Sequence, residues 1–276
     1  MPEGLSGAAI TSDVGPDLLL DRIPFVQQSP METSTTVVTG ASRGFGRALA
    51  TALVERGRPV VGVARDAHDL AEVRAELGAL FDPVAADATA PDLPGRLLRE
   101  HRPSAVVLVA GALPTMRPLH LLTWEELSRP WQVDVRQAFQ WLRASLTEPL
   151  EPGSTVVSFS SGAAIQGSPL SGGYAGAKAT VRFLTSYAAE ESARLGLGIR
   201  FVSILPRLTP ATGLGAAAVA AYADRAGLEV ADFLDRLGPP TLPASLAADL
   251  VDLLADSSLA SAAYTAQPTG GLVPLA

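Results

Sequence analysis

Residues 34–57 read STTVVTGASRGFGRALATALVERG: a β-branched apolar run, three glycines at positions 40, 44 and 46, then a stretch with helical apolar spacing. A strand that ends in glycines and feeds a helix is a common cradle for a phosphate, because exposed main-chain N–H groups and the positive end of the helix dipole converge there. Gly40 suits a tight turn, Gly44 a close approach of backbone to a pyrophosphate, and Gly46 close packing of helix on strand, since none carries a β-carbon. A nucleotide is therefore the first ligand class to test against the rest of the chain.

Further along, short β-branched runs at 35–40, 59–65, 104–111, 154–161 and 199–206 alternate with amphipathic stretches such as 46–57, 69–77 and 179–196. Near-continuous apolar strands separated by helices predict a parallel sheet covered on both faces. With right-handed crossovers, the simplest closure is one doubly wound α/β domain of Rossmann type over 34–276, with ligands outside the carboxyl ends of the strands. Residues 1–33 contain prolines and keep no sustained period, which predicts a flexible N-terminal extension. The alanine-rich segment within 207–241 predicts a small helical lid over the substrate cleft.

Composition narrows the function classes. The chain has 276 residues, 47% hydrophobic and 18% charged, enough to bury a large core. A net charge of −7 and a pI near 5.0 argue against a nucleic-acid surface. The absence of cysteine excludes disulfides, thiolate metal sites and cysteine nucleophiles, and fits a reducing compartment. No run reaches the roughly 18 apolar residues of a membrane span, and no basic signal flank opens the chain, so a cytoplasmic protein is expected. His68, His101 and His120 lack metal-ligand spacing, and no metal is expected.

The second strand ends at Arg65, where folds selective for NAD usually place an acid on the ribose 2′-hydroxyl; a guanidinium there prefers a 2′-phosphate. Arg43, inside the glycine loop, reaches the same phosphate, so NADP is favoured over NAD. Asp87, with Ala88 beside it, is a candidate partner for the adenine amino group. Later, SFSSGAAIQGSPLSGGYAGAKAT (158–180) sets Tyr174 and Lys178 four apart on one helix face, with Ser161 thirteen positions before Tyr174. A tyrosine, with an ordinary pKa near 10, works as an acid-base group near neutrality when an ammonium stabilises its phenolate. Lys178 supplies the cation, Tyr174 the proton and Ser161 a hydroxyl for the same carbonyl oxygen: carbonyl reduction, or alcohol oxidation in reverse.

With these motifs in place, the chain resembles the short-chain dehydrogenase/reductase family over about residues 34–272, on TGASRGFG for TGxxxGxG, YAGAK for YxxxK, and Ser161 at the expected distance. The resemblance implies that Tyr174 is the catalytic acid-base residue, that Lys178 also hydrogen-bonds the nicotinamide ribose, and that Ser161 positions the substrate oxygen. It implies NADP(H) lying across Gly40, Ser42, Arg43, Gly44, Phe45, Gly46, Arg65, Asp87, Ala88, Ala110, Gly111, Tyr174, Lys178, Pro206 and Thr209. A small carbonyl or alcohol substrate and a homodimer or homotetramer are implied with it.

Three positions depart from the family pattern. Leu108 and Val109 stand where NNAG has two bracing asparagines. Asp134 stands where the catalytic asparagine is expected and is a candidate catalytic residue, the alternative being an aspartate that only hydrogen-bonds in the core. In relatives that asparagine acts through its main-chain carbonyl, which holds a water in the relay to the lysine, so aspartate can substitute, although its buried charge would disturb its neighbours' titration. Arg207 replaces the glycine after Pro206 and reads as structural or as a contact for an acidic substrate, while Thr209 and Thr212 both qualify to meet the nicotinamide carboxamide. Met116, Leu119, Ile165 and Leu170 are expected to form an apolar substrate wall. The alternative to an enzyme is a non-catalytic NADP(H)-binding sensor or scaffold, which has no physical need to keep Ser161, Tyr174 and Lys178 together. An epimerase or dehydratase with the same tyrosine and lysine usually has another glycine spacing and a larger C-terminal substrate domain.

Overall fold

The computed structural model describes residues 34–148, 150–256, 258 and 263–275. The expected N-terminal extension, 1–33, lies outside the described residues. In chain order the elements are β1 (Thr36–Thr39), α1 (Gly44–Glu55), β2 (Val60–Ala64), α2 (Ala67–Leu77), β3 (Phe81–Ala85), α3 (Leu93–His101), β4 (Ala105–Leu108), α4 (Trp124–Pro130) and α5 (Arg136–Thr147). They continue as β5 (Thr155–Phe159), α6 (Ala163–Gln166), α7 (Gly172–Leu195), β6 (Arg200–Leu205), α8 (Gly213–Ala226), α9 (Val230–Leu237), α10 (Pro243–Ala255), β7 (Ala263–Ala266) and β8 (Leu272–Pro274).

The strands form one sheet in the order β3-β2-β1-β4-β5-β6-β7-β8, parallel from β3 to β7. The final strand departs from the expected parallel sheet. β8 runs antiparallel to β7, because a connection this short reverses the chain: Gln267 N–H donates to Gly271 O at 3.0 Å, and Gly270 and Gly271 take φ of +90° and +95°.

Consecutive residues of the central strands serve opposite faces. Val38 packs with Leu49, Leu53, Leu246 and Leu250 from α1 and α10, while Val37 packs with Leu97, Trp141 and Val181 from α3, α5 and α7. This explains the unbroken apolar runs: both faces are covered, so alternation with polar residues is lost. Strand order reverses at β1, with β2 and β3 to one side and β4 onward to the other, so the ends of β1 and β4 open onto a crevice. Among the described residues no helix is long and apolar enough to cross a membrane.

Candidate active site

The glycine loop lies at that crevice. Gly40 has φ +71°, and its N–H donates to Val63 O at 2.7 Å, which ties the loop to the end of β2. Where its β-carbon would stand, Ala110 N is 2.8 Å away, so the loop and the segment after β4 touch backbone to backbone. A β-carbon on Gly46 would lie 2.2 Å from Gly40 O, so α1 seats directly on the loop. Arg43 is the N-cap of α1 and makes no side-chain cap, and the first turn holds no acid. The first-turn N–H groups and the helix dipole are thus left to an anion, and the loop fits a pyrophosphate. Beneath it the Phe45 ring packs against Phe159 at 5.8 Å between centroids, whereas Ser42 is half-buried in the loop.

On the β2–β3 side, Arg43 and Arg65 are both exposed, and neither has an ion-pair partner among the described residues. Asp87, after β3, is exposed and caps its own turn: Oδ1 accepts from Thr89 N and Thr89 Oγ1, both at 2.8 Å. These bonds, the main-chain one foremost, hold its carboxyl below the usual range, and the Arg65 charge adds to them. Ala88 is buried, and its carbonyl accepts from Trp141 Nε1 at 3.0 Å.

The missing asparagines have replacements that the sequence reading did not find. The buried Thr39 hydroxyl accepts from Val109 N at 3.1 Å and Ala110 N at 3.3 Å, and Gln137 Nε2 donates to Ala110 O at 2.9 Å. β1 and α5 thus brace the segment that carries Ala110 and Gly111. The threonine preceding Gly40 was the visible signal for the first of these contacts.

Tyr174 and Lys178 sit in the first turns of α7. Gly173 lets that helix end approach α4 closely, since a β-carbon there would lie 2.1 Å from Leu127 O. Tyr174 is half-buried; the Lys178 ammonium lies 5.6 Å from the centre of its ring. Lys178 Nζ donates to Phe159 O at 2.9 Å, and Ser160 Oγ donates to Lys178 O at 2.8 Å, so the end of β5 holds the lysine at both ends. Ser161 follows directly, its Oγ accepting from Ala163 N at 3.2 Å, and Gly162 N donates to Pro206 O at 3.0 Å.

Asp134 makes side-chain contacts beyond the main-chain role that the resemblance implies for this position. Its carboxylate reaches the lysine directly: Oδ2 lies 3.0 Å from Lys178 Nζ, with side-chain exposures of 1% and 7%. The other oxygen accepts from Ala112 N at 2.8 Å. The helix is locally widened there, with a π turn at Trp131–Val135 immediately after Pro130, whose missing N–H breaks the regular ladder. Burial, the largest single influence on Lys178, pushes its pKa down. The charges of Asp134 and Tyr174 together with Asp134 at hydrogen-bonding distance outweigh it, and the net shift is upward.

The two threonines take different places. Thr209 is buried, its hydroxyl accepting from Ala211 N at 3.3 Å. Thr212 caps α8, accepting from Gly215 N at 3.1 Å, and its Cγ2 lies 3.5 Å from where a Gly44 β-carbon would stand. Arg207 is exposed. Of the expected apolar wall, Leu119 and Ile165 are exposed and Met116 half-buried. Leu170 is buried, its carbonyl accepting from Arg117 N at 2.8 Å. α8 is joined to the loop before α7 by a short hydrogen bond between Tyr222 OH and Ser168 Oγ, and Tyr222 stacks on Phe233 of α9.

Comparison with known proteins gives this geometry a family. The solved structure of NAD+-bound xylitol dehydrogenase is similar with a TM-score of 0.74 and 19% identity, over 84% of this chain and 96% of that one. An actinorhodin polyketide ketoreductase with NADPH gives 0.73 and 21%, over 84% and 95%. A protein of Haemophilus influenzae named "Probable NADP-dependent dehydrogenase" is 47% identical over 57 residues, 21% of this chain and 23% of that protein, so the chain spans under a quarter of that relative's length. The model for short chain dehydrogenases matches residues 34–223, and the chain belongs to that family.

Proposed function

We propose that the protein is an NADP(H)-dependent oxidoreductase that interconverts a ketone or aldehyde and its alcohol, with Tyr174 as the general acid and base. The observation that carries this reading is the pairing of the Tyr174 ring with the buried Lys178 ammonium one helical turn away, at the end of the strand that leads to Ser161. The bound nicotinamide would supply or accept the hydride at the carbonyl carbon. In the reducing direction the Tyr174 hydroxyl passes its proton to the carbonyl oxygen while the Ser161 hydroxyl holds that oxygen. Lys178 Nζ donates one hydrogen bond to Phe159 O and forms an ion pair with the Asp134 carboxylate, so of its three donors at least one would be left for the ribose.

The residues that would hold the dinucleotide are the glycine loop with Ser42 and Phe45, Ala110 and Gly111 opposite, and Asp87 with Ala88 at the adenine end. Thr212 is favoured over Thr209 near the loop, because the Thr209 hydroxyl is turned into its own segment. Arg43 and Arg65 support a 2′-phosphate, and the names of the Haemophilus relative and of the NADPH-bound ketoreductase agree with that choice. α8 and α9 would form the substrate lid. A second copy of the chain would cover the exposed aromatic rings Phe139 on α5 and Phe183 and Tyr187 on α7, giving a dimer or tetramer visible by light scattering. The test of function is a panel of ketones and aldehydes with NADPH or NADH oxidation as readout. Turnover with NADPH preferred is expected; binding of NADPH without oxidation against any carbonyl contradicts the reading.

A further inference from the structure

Lys178 is the only lysine in the chain; every other basic side chain among its 21 Lys and Arg is arginine. That single ammonium is buried, and among the described residues charged or titratable groups face it from two elements. The π turn between α4 and α5 contributes Asp134 and α7 contributes Tyr174, while β5 contributes an uncharged carbonyl, Phe159 O. Asp134 is itself fixed by Ala112 N, so the carboxylate links the segment after β4 to the lysine without a water between them. A buried ammonium with one carboxylate at 3.0 Å is neutralised as a pair, and removing either charge strands the other.

We infer that Asp134 is a positioning residue whose carboxylate acts as the buried counter-ion of Lys178, keeping the ammonium charged and fixed between the Phe159 carbonyl and the Tyr174 ring. The inference rests on the reading of Tyr174 and Lys178 as the catalytic pair, and adds a role that a neutral asparagine cannot fill. Asparagine has the same shape and can still accept from Ala112 N, so Asp134→Asn removes the charge with little change in packing. Without the carboxylate, burial pushes the lysine toward its neutral form with the Tyr174 charge left to oppose it. The sign follows: the ammonium is held above the ordinary lysine range in the native protein, so the pair contributes fully at neutral pH and is lost only as pH rises past the folded value.

Because there is one lysine, protein grown with ¹³Cε-lysine gives one side-chain resonance, and its shift against pH reads the charge of Lys178 in the full chain without cofactor. The resonance of the native protein is expected to stay at the ammonium position through neutral and mildly alkaline pH. In Asp134→Asn its midpoint is expected to fall by about one pH unit or more, and the alkaline limit of NADPH-coupled carbonyl reduction to fall with it. Equal midpoints in the two proteins, or a neutral lysine in the native one at pH 7, overturn the inference. If Asp134→Asn does not fold, Asp134→Asn/Lys178→Met decides: recovery of the fold supports mutual neutralisation, and an unfolded double variant contradicts it. Failure of every carbonyl to react would remove the proposed activity while leaving the resonance to judge the counter-ion.

Discussion

The crevice has two ends built on different principles. At the adenosine end the ligand would meet main chain: the glycine loop leaves the first-turn N–H groups of α1 to an anion, and the charges there, Arg43, Arg65 and Asp87, stand in solvent, the two arginines without ion-pair partners among the described residues. At the Tyr174 end the contacts are side chains from three separated segments, and the charges are buried and matched, Asp134 against Lys178. Exposed charge is screened and replaceable, whereas buried paired charge is neither. Substitutions at the first end should therefore alter affinity and cofactor choice, and those at the second the chemical step and its pH dependence.

The largest effect expected is at the second end. Tyr174→Phe removes the transferable proton and leaves the ring, so carbonyl reduction should fall by about 10²- to 10⁴-fold, with NADPH affinity by fluorescence titration nearly unchanged. A parallel loss of binding would mean that the two ends are not separable. Next, Gly46→Ala forces a β-carbon to within 2.2 Å of Gly40 O unless α1 shifts off the loop. Urea unfolding should show a loss of about 1–3 kcal/mol, and NADPH affinity should fall with it. A smaller change, confined to cofactor choice, is expected from Arg65→Ala: NADPH affinity drops roughly tenfold, NADH affinity holds, and added salt narrows the difference between native and variant. The smallest control is Glu76→Gln, which breaks the exposed Arg47–Glu76 pair on the outside of α1. It should change unfolding free energy by less than about 1 kcal/mol and touch neither end.

The same division governs what the sequence made readable. The glycine loop and the Tyr174–Lys178 spacing are local: a turn and a four-residue step on a helix fix them whatever the rest of the chain does. The apolar strand runs likewise disclosed a sheet covered on both faces. What depended on distant partners was hidden. The direct reach of Asp134 to Lys178 follows from a π turn beside Pro130, and nothing in VDV signals the direction of that carboxylate. The bracing of Ala110 passed from asparagines to Thr39 and Gln137, residues 71 and 27 positions away. Leu170, expected with Met116, Leu119 and Ile165 in one apolar wall, is buried where Leu119 and Ile165 are exposed, a difference set by loops the pattern does not place. Likewise β8 turns back because of two glycines whose conformation the strand pattern does not include.

The central claim is that hydride passes between a nicotinamide and a carbonyl carbon whose oxygen receives the Tyr174 proton. It is tested most directly by reducing a reactive ketone from the panel with NADPH carrying deuterium at both positions of the nicotinamide C4, and locating the label by NMR. The account predicts one deuterium on the carbon bearing the new hydroxyl in the native protein, and no labelled alcohol above background in Tyr174→Phe. Alcohol formed without deuterium at that carbon, or formed equally well by the variant, would contradict it.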